Sequence, residues 1–91
     1  MEKRYNIFFS GTVQGVGFRY TAKALADKYA LKGWAMNIPN GNVELEIEGF
    51  DTDLNSFLED LKGEFKNYIE KVDLKELAHC GEYKDFRIRF Y

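Results

Sequence analysis

A glycine-rich segment that ends in an arginine is the part of this chain best suited to chemistry. Residues 11–19 have the sequence GTVQGVGFR and lie between a strand-like run, Tyr5 to Ser10, and a helix-like run that begins at Phe18. Glycine accepts backbone conformations that a Cβ forbids, so successive N–H groups can face one concavity. The start of the helix adds unpaired N–H groups and the positive end of its dipole. These features predict a binding site for a phosphate group.

Arg19 strengthens this prediction, because its planar guanidinium can bind two phosphate oxygens at once. The segment lacks the Gly-Lys-Ser/Thr ending of the P-loop and the Gly-x-Gly-x-x-Gly spacing of dinucleotide sites. On these residues alone, a tight strand-to-helix turn beside a surface cation is an equal alternative. The residues expected to bind the phosphate are Gln14, Gly15, Val16, Gly17, Phe18 and Arg19.

Three segments of the chain resemble acylphosphatase. They are TVQGVGFR at residues 12–19, GWAMN at 33–37 and PNGNVE at 39–44, and the similarity extends to FRI at 86–88. Ala35-Met36 departs from the family pattern, which usually has a branched residue followed by Arg or Lys. Ile38-Pro39-Asn40 is a variant of the usual turn. The resemblance implies a ferredoxin-like fold and the hydrolysis of acyl phosphates with no metal, cofactor or covalent intermediate.

Asn37 is the second candidate site residue. Asn is uncommon inside strands, because its side chain competes for backbone hydrogen bonds. By position alone, Asn37 would end a strand and start the turn at Pro39-Asn40-Gly41. The resemblance instead places it at the catalytic asparagine of the family, where its amide would orient the attacking water. A β-α-β-β layout can bring it beside the glycine-rich segment.

The candidate site offers anion binding and water placement but no general acid. An acyl phosphate expels a carboxylate whose conjugate acid has a pKa of about 4, so it leaves without being protonated. A sugar or serine phosphate expels an alkoxide, which needs an acid. Phosphoryl transfer through a loose transition state depends mainly on positioning and charge stabilisation. These residues therefore favour activated phosphates as substrates.

The composition predicts a single domain, residues 1–91. Thirteen basic and fifteen acidic residues give a net charge of −2, which does not suggest nucleic-acid binding. The single cysteine, Cys80, allows no internal disulfide, and no His/Cys cluster has zinc spacing. The first residues lack the apolar run of a signal peptide, and no run is long enough to span a membrane. We expect a soluble, cytoplasmic monomer.

The apolar periodicity predicts an α+β fold. Alternating apolar residues predict strands near residues 5–13 and 43–48. Further strands are predicted from Trp34 to Ile38, near Ile69 to Leu74, and as a short last strand from Phe86 to Phe90. Helical spacing predicts a first helix that begins at Phe18, with apolar residues recurring as far as Tyr29. A second helix, capped by Asp51 or Thr52, is predicted to end or fray at Gly63, with an apolar stripe at Leu54, Phe57, Leu58, Leu61 and Phe65. The order is the ferredoxin-like βαββαβ sandwich, an antiparallel sheet with two helices on one face and an additional short C-terminal strand.

Other polar residues are given structural interpretations. His79 is expected to be a surface residue and Cys80 a small, partly buried one. The row Glu44, Glu46, Glu48 is expected to form a solvated sheet face, and Asp51 and Asp53 to begin a helix rather than bind a metal.

Two alternatives to a hydrolase remain open at the level of sequence. One is a non-catalytic ferredoxin-like module that binds a phosphorylated metabolite or a protein partner. The other is a nucleic-acid-binding domain, which needs a basic face that the charge balance does not suggest.

Overall fold

Seven elements make up the protein, whose computed structural model describes all 91 residues. The elements are β1 (Glu2–Gly11), α1 (Phe18–Lys28), β2 (Lys32–Asn37), β3 (Val43–Phe50), α2 (Asp51–Glu64), β4 (Ile69–Leu77) and β5 (Phe86–Arg89). Each predicted element is present, and most boundaries differ by a few residues at most. No helix is both long enough and apolar enough to cross a membrane.

The strands form one sheet in the order β4-β1-β3-β2-β5. β1 pairs antiparallel with β3 and β4, β2 pairs antiparallel with β3, and β5 adds parallel to β2 at the edge. This is the predicted ferredoxin-like α+β arrangement with an extra C-terminal strand, and the prediction is confirmed.

Both helices pack on one face of the sheet, which we call the inner face. Alternate strand residues such as Ile7, Phe9, Leu45 and Ile47 are fully buried there. They belong to one cluster of 18 buried residues. The helices contribute their apolar stripes, Phe18, Ala22 and Ala26 from α1 and Leu54, Phe57, Leu58 and Leu61 from α2. Burial of these stripes against one sheet face stabilises both layers together.

The other face of the sheet, the outer face, is crossed by the segment from Ala78 to Asp85. This crossover connects β4 and β5, which lie at opposite edges of the sheet. Glu46 and Glu48 lie beneath it, with 9% and 4% of their surface exposed. The prediction that this carboxylate row is a solvated face is therefore wrong for both. Charged strand residues can be buried when the segment that covers them supplies hydrogen-bond donors. The periodicity of β3 does not show that the crossover covers this face.

The predicted cap of α2 is also wrong. Asp51 is the first residue of the helix, and its N-cap, Phe50, makes no side-chain capping bond. Asp51 and Asp53 lie in the first turn, where a negative charge interacts favourably with the helix dipole. The helix ends at Glu64, one residue after the predicted Gly63.

Candidate active site

Residues 12–17 connect β1 to α1, and buried side chains hold both ends of this loop. Val13 and Phe18 are 1% and 2% exposed. The Phe18 ring lies between those of Phe9 and Phe65, with centroid distances of 4.9 and 4.8 Å. Such ring pairs favour tilted contacts of this kind. The loop is therefore anchored in the core, while its middle stays at the surface. We call residues 12–17 the anion loop.

Gly15 and Gly17 give the anion loop its shape. Their φ values are 78° and 79°, in the left-handed region that L-residues with a Cβ rarely adopt. A Cβ at either position would have nothing within 4 Å, so space does not require glycine there. The backbone conformation requires it. Gly17 also starts α1 without any side-chain cap.

The amide groups of the loop and of the first helical turn are free to bind an anion. No backbone N–H from Gln14 to Gly17 donates a hydrogen bond within the protein. The first intrahelical bond runs from Thr21 N–H to the Gly17 carbonyl at 3.0 Å, so the N–H groups of the first turn are unpaired as well. A row of unpaired N–H groups at a helix start attracts negative charge.

Asn37 lies at the mouth of this loop. It is the last residue of β2, pairs with Val43 of β3 and follows the buried Ala35 on the inner face. Together with Gly15, Gly17 and Arg19 it lines a depression of about 130 Å³. The Oδ1 atom of Asn37 is buried and has no hydrogen-bond partner within the protein. Buried polar atoms are rarely left unpaired, so this acceptor needs an explanation, and a bound water or ligand in the depression would supply one.

Arg19 supplies the positive charge of the depression. It forms no ion pair with a carboxylate. Its Nη1 lies 3.5 Å from the carbonyl oxygen of Arg89, and its guanidinium carbon lies 5.2 Å from the ring centroid of Phe90. The cation thus rests on the C-terminal strand while its charge remains uncompensated, as an anion-binding arginine requires.

The structure brings together most of the residues expected from the sequence, but not all of them. Gly15, Gly17, Phe18, Arg19 and Asn37 line the depression. Gln14 and Val16 do not: Val16 packs against the core, and the Gln14 side chain binds the β2–β3 turn. Whether the backbone amides of these two residues bind phosphate stays a prediction.

Tyr20 and Val13 also line the depression and were not expected from the sequence. Tyr20 is 65% exposed. The position of Tyr20 directly after Arg19 was the only sequence signal that it could line the site. Whether its side chain faces the depression depends on the orientation of α1, which the sequence does not give.

His79 and Cys80 lie at the other end of β1 from the anion loop. His79 Nε2 lies 3.3 Å from Glu48 Oε1 and also contacts Glu2, whereas Cys80 is half-buried. The pKa of Glu48 lies below its ordinary value. Burial by itself would raise this pKa, but hydrogen bonds from Cys80 N–H, the Cys80 thiol and Gly81 N–H, together with nearby His79, outweigh burial. These groups fasten the crossover to the sheet.

Comparison with known proteins identifies similar chains over nearly the whole length. A family model described as acylphosphatase matches residues 5–88. An acylphosphatase of Clostridium beijerinckii is 39% identical over 88 residues, which cover 96% of this chain and 98% of that protein. The crystal structure of acylphosphatase from Bacillus subtilis has a TM-score of 0.87 at 35% identity, covering 98% of this chain and 99% of that one. The structure of T. kodakarensis HypF has a TM-score of 0.79 at 30% identity, covering 96% of this chain but 12% of HypF.

Proposed function

The chain belongs to the acylphosphatase family and hydrolyses acyl phosphates, and we propose that Arg19, the anion-loop amides and Asn37 carry out this reaction. The products are a carboxylate and inorganic phosphate. The observation that carries the proposal is the buried, unpaired Oδ1 of Asn37 in the same depression as Arg19 and the two loop glycines.

The phosphoryl group is bound by the N–H groups of the loop and first helical turn, from Gln14 to Arg19, and by the guanidinium of Arg19. Unpaired N–H groups and an uncompensated cation in one depression support this role. Donors held in place before the reaction stabilise developing negative charge without reorganising during it. The contacts of Arg19 with Arg89 and Phe90 restrain its side chain before phosphate binds, which lowers the ordering cost of binding.

Asn37 orients the attacking water. Its Oδ1 accepts a hydrogen bond from a water O–H, which directs the water oxygen at phosphorus in line with the bond to the acyl oxygen. The P–O bond to the acyl group breaks, and the carboxylate leaves with the electron pair. An amide does not take the water proton as a base would, so the proton passes to a non-bridging phosphoryl oxygen or to solvent as inorganic phosphate forms. This mechanism therefore needs a weakly basic leaving group.

The side chains that line the depression support a preference for acyl phosphates over phosphate monoesters. Arg19, Tyr20 and Asn37 are its polar members, and no carboxyl or imidazole group lines it. A phosphate monoester with an alkoxide leaving group would find no ordinary general acid there.

We also propose that the enzyme acts as a cytoplasmic monomer without a metal ion and does not bind nucleic acid. The unpaired thiol of Cys80 suits a reducing compartment. The net charge of −2 disfavours binding to a polyanion. Sedimentation of the purified protein tests the monomer.

Phosphate release from benzoyl phosphate, with and without EDTA, tests the proposal most directly. We expect turnover that EDTA does not change, and no turnover of a serine or sugar phosphate at the same concentration. Loss of activity in EDTA that a divalent metal restores would contradict the metal-free mechanism. Equal rates on the monoester would contradict the leaving-group argument.

A further inference from the structure

The proposed reaction requires two separate parts of the chain to keep a fixed relative position. The phosphoryl group is bound by the anion loop and α1, whereas the water is bound by Asn37 at the end of β2. In-line attack tolerates little error, and a displacement of about 1 Å can reduce a rate by about 100-fold. Some contact must therefore hold the loop at a fixed distance from the end of β2.

Gln14 makes that contact. Its side-chain Nε2 donates hydrogen bonds to the carbonyl oxygens of Ile38 and Asn42, both at 2.8 Å. A glutamine NH2 group has two N–H protons, and both are used here. Ile38 directly follows Asn37 in the chain. The amide of the loop residue is thus joined to the residue next to the proposed water ligand.

The two carbonyl groups lie on opposite sides of one turn. Ile38 N–H donates to the Asn42 carbonyl at 3.0 Å, which closes the β2–β3 turn. Gly41 N–H donates to the Ile38 carbonyl at 3.1 Å. Because Gln14 binds both carbonyls, the loop is joined to the whole base of the turn and not to one strand alone.

We propose that Gln14 is a positioning residue that fixes the anion loop relative to Asn37, and this inference rests on the proposed function. Its side chain does not line the depression, so it acts on the reaction through Asn37 and not by touching the substrate. The role requires a neutral donor. A carboxylate of the same shape would place oxygen atoms against two carbonyl oxygens.

Gln14→Met tests the inference, because Met has nearly the same length but carries neither donor nor charge. We expect kcat on benzoyl phosphate to fall about 10- to 100-fold, as for a small displacement of reacting groups. Inhibition by inorganic phosphate should stay within about twofold of the wild type, because the loop N–H groups remain. Assays far below each melting midpoint keep unfolding out of the comparison.

Asn40→Ala is the matched control. The Asn40 side chain accepts a hydrogen bond from Asn42 N–H at 3.1 Å within the same turn and makes no hydrogen bond to the loop. This variant weakens the turn and leaves the contact with Gln14 in place. Its kcat should stay within about threefold of the wild type, because surface changes away from key contacts have small effects.

Two outcomes would overturn the positioning role. If Gln14→Met kept kcat within twofold, the contact would have no part in the reaction. If kcat and phosphate inhibition weakened together, Gln14 would only maintain the shape of the loop. Neither outcome affects the proposed function, which fails separately if the wild-type protein releases no phosphate from benzoyl phosphate.

Discussion

Arg19 is the one cationic side chain in the lining of the depression, and the C-terminal strand supports it there. Arg19→Gln should fold normally and lose nearly all turnover, with weaker inhibition by phosphate, because a charge-assisted bond to the phosphoryl oxygens is removed. Initial rates with benzoyl phosphate and inhibition constants for phosphate measure both effects.

Arg19→Lys tests whether the positive charge alone is sufficient. Lysine keeps the charge but cannot reproduce the planar pair of donors, so this variant should also be slow. Wild-type turnover in Arg19→Gln would show that the phosphate binds elsewhere.

Asn37 is expected to act on turnover and not on anion binding. Asn37→Ala should reduce kcat severely while phosphate inhibition stays near the wild-type value, because water orientation is needed in the transition state and hardly in the bound ground state. Steady-state kinetics with phosphate as inhibitor separate the two quantities. If phosphate inhibition weakened in step with kcat, Asn37 would be a ligand of the phosphate.

At the scale of the elements, β2 separates the site from the departure at Ala35-Met36. Ala35 is buried on the inner face, and Met36 is absent from the lining of the depression and pairs with Glu44 and Arg89. Neighbouring strand residues point to opposite faces. The Arg or Lys that the family pattern usually has at this position would therefore lie on the outer face, one residue before Asn37 but on the opposite face of the sheet.

Met36→Arg should therefore change KM modestly and leave kcat almost unaltered. The added charge acts through a field that salt screens over about 10 Å at 0.1 M ionic strength. Kinetics across a salt series should show the KM effect at low ionic strength only. Met36→Gln, which adds polarity without charge, should match the wild type, and a large rise in kcat for Met36→Arg would mean that the natural Met36 impairs catalysis.

In the fold as a whole, Glu48 of β3 binds the crossover from β4 to β5 and so attaches it to the sheet. Its folded-state pKa is lowered, so its ionised form stabilises the fold. That stabilisation is present above the unfolded pKa of about 4.3 and is lost as pH falls through the lowered folded value. Stability should therefore fall on acidification below about pH 4, given the ordinary Glu pKa.

Glu48→Gln should lower the free energy of unfolding by about 1.5–3 kcal/mol at pH 7, the usual contribution of hydrogen bonds to a charged group. The difference from the wild type should shrink at pH 3, because below the ordinary Glu pKa the unfolded wild-type chain gains a proton at this carboxyl group and the advantage of the ionised folded form decreases. Urea unfolding at both pH values measures it. Glu76→Gln, at an exposed carboxylate 3.6 Å from Lys3, is the control and should change stability by under about 1 kcal/mol. An equal difference at both pH values would exclude ionisation as the cause.

The elements and the shape of the glycine-rich loop follow from the sequence alone, because they depend on local chemistry. The spacing of Leu54, Phe57, Leu58 and Leu61 predicts one buried face of a helix, and all four are buried. Gly15 and Gly17 predict a loop with left-handed backbone, and both have positive φ. The resemblance of the segment at residues 12–19 pointed to the family that the comparisons then showed.

Which distant groups come into contact depends on the strand order and on the path of the connections. Glu46 and Glu48 have the alternation of a solvated face, yet they are buried because β4 and β5 lie at opposite edges and their connection must cross the sheet. Gln14 belongs to the anion loop in sequence, but its side chain binds the β2–β3 turn, 24 and 28 residues away. Periodicity reports which face a residue occupies. It does not report which segment covers that face, because this depends on strand order and on contacts between residues far apart in the chain.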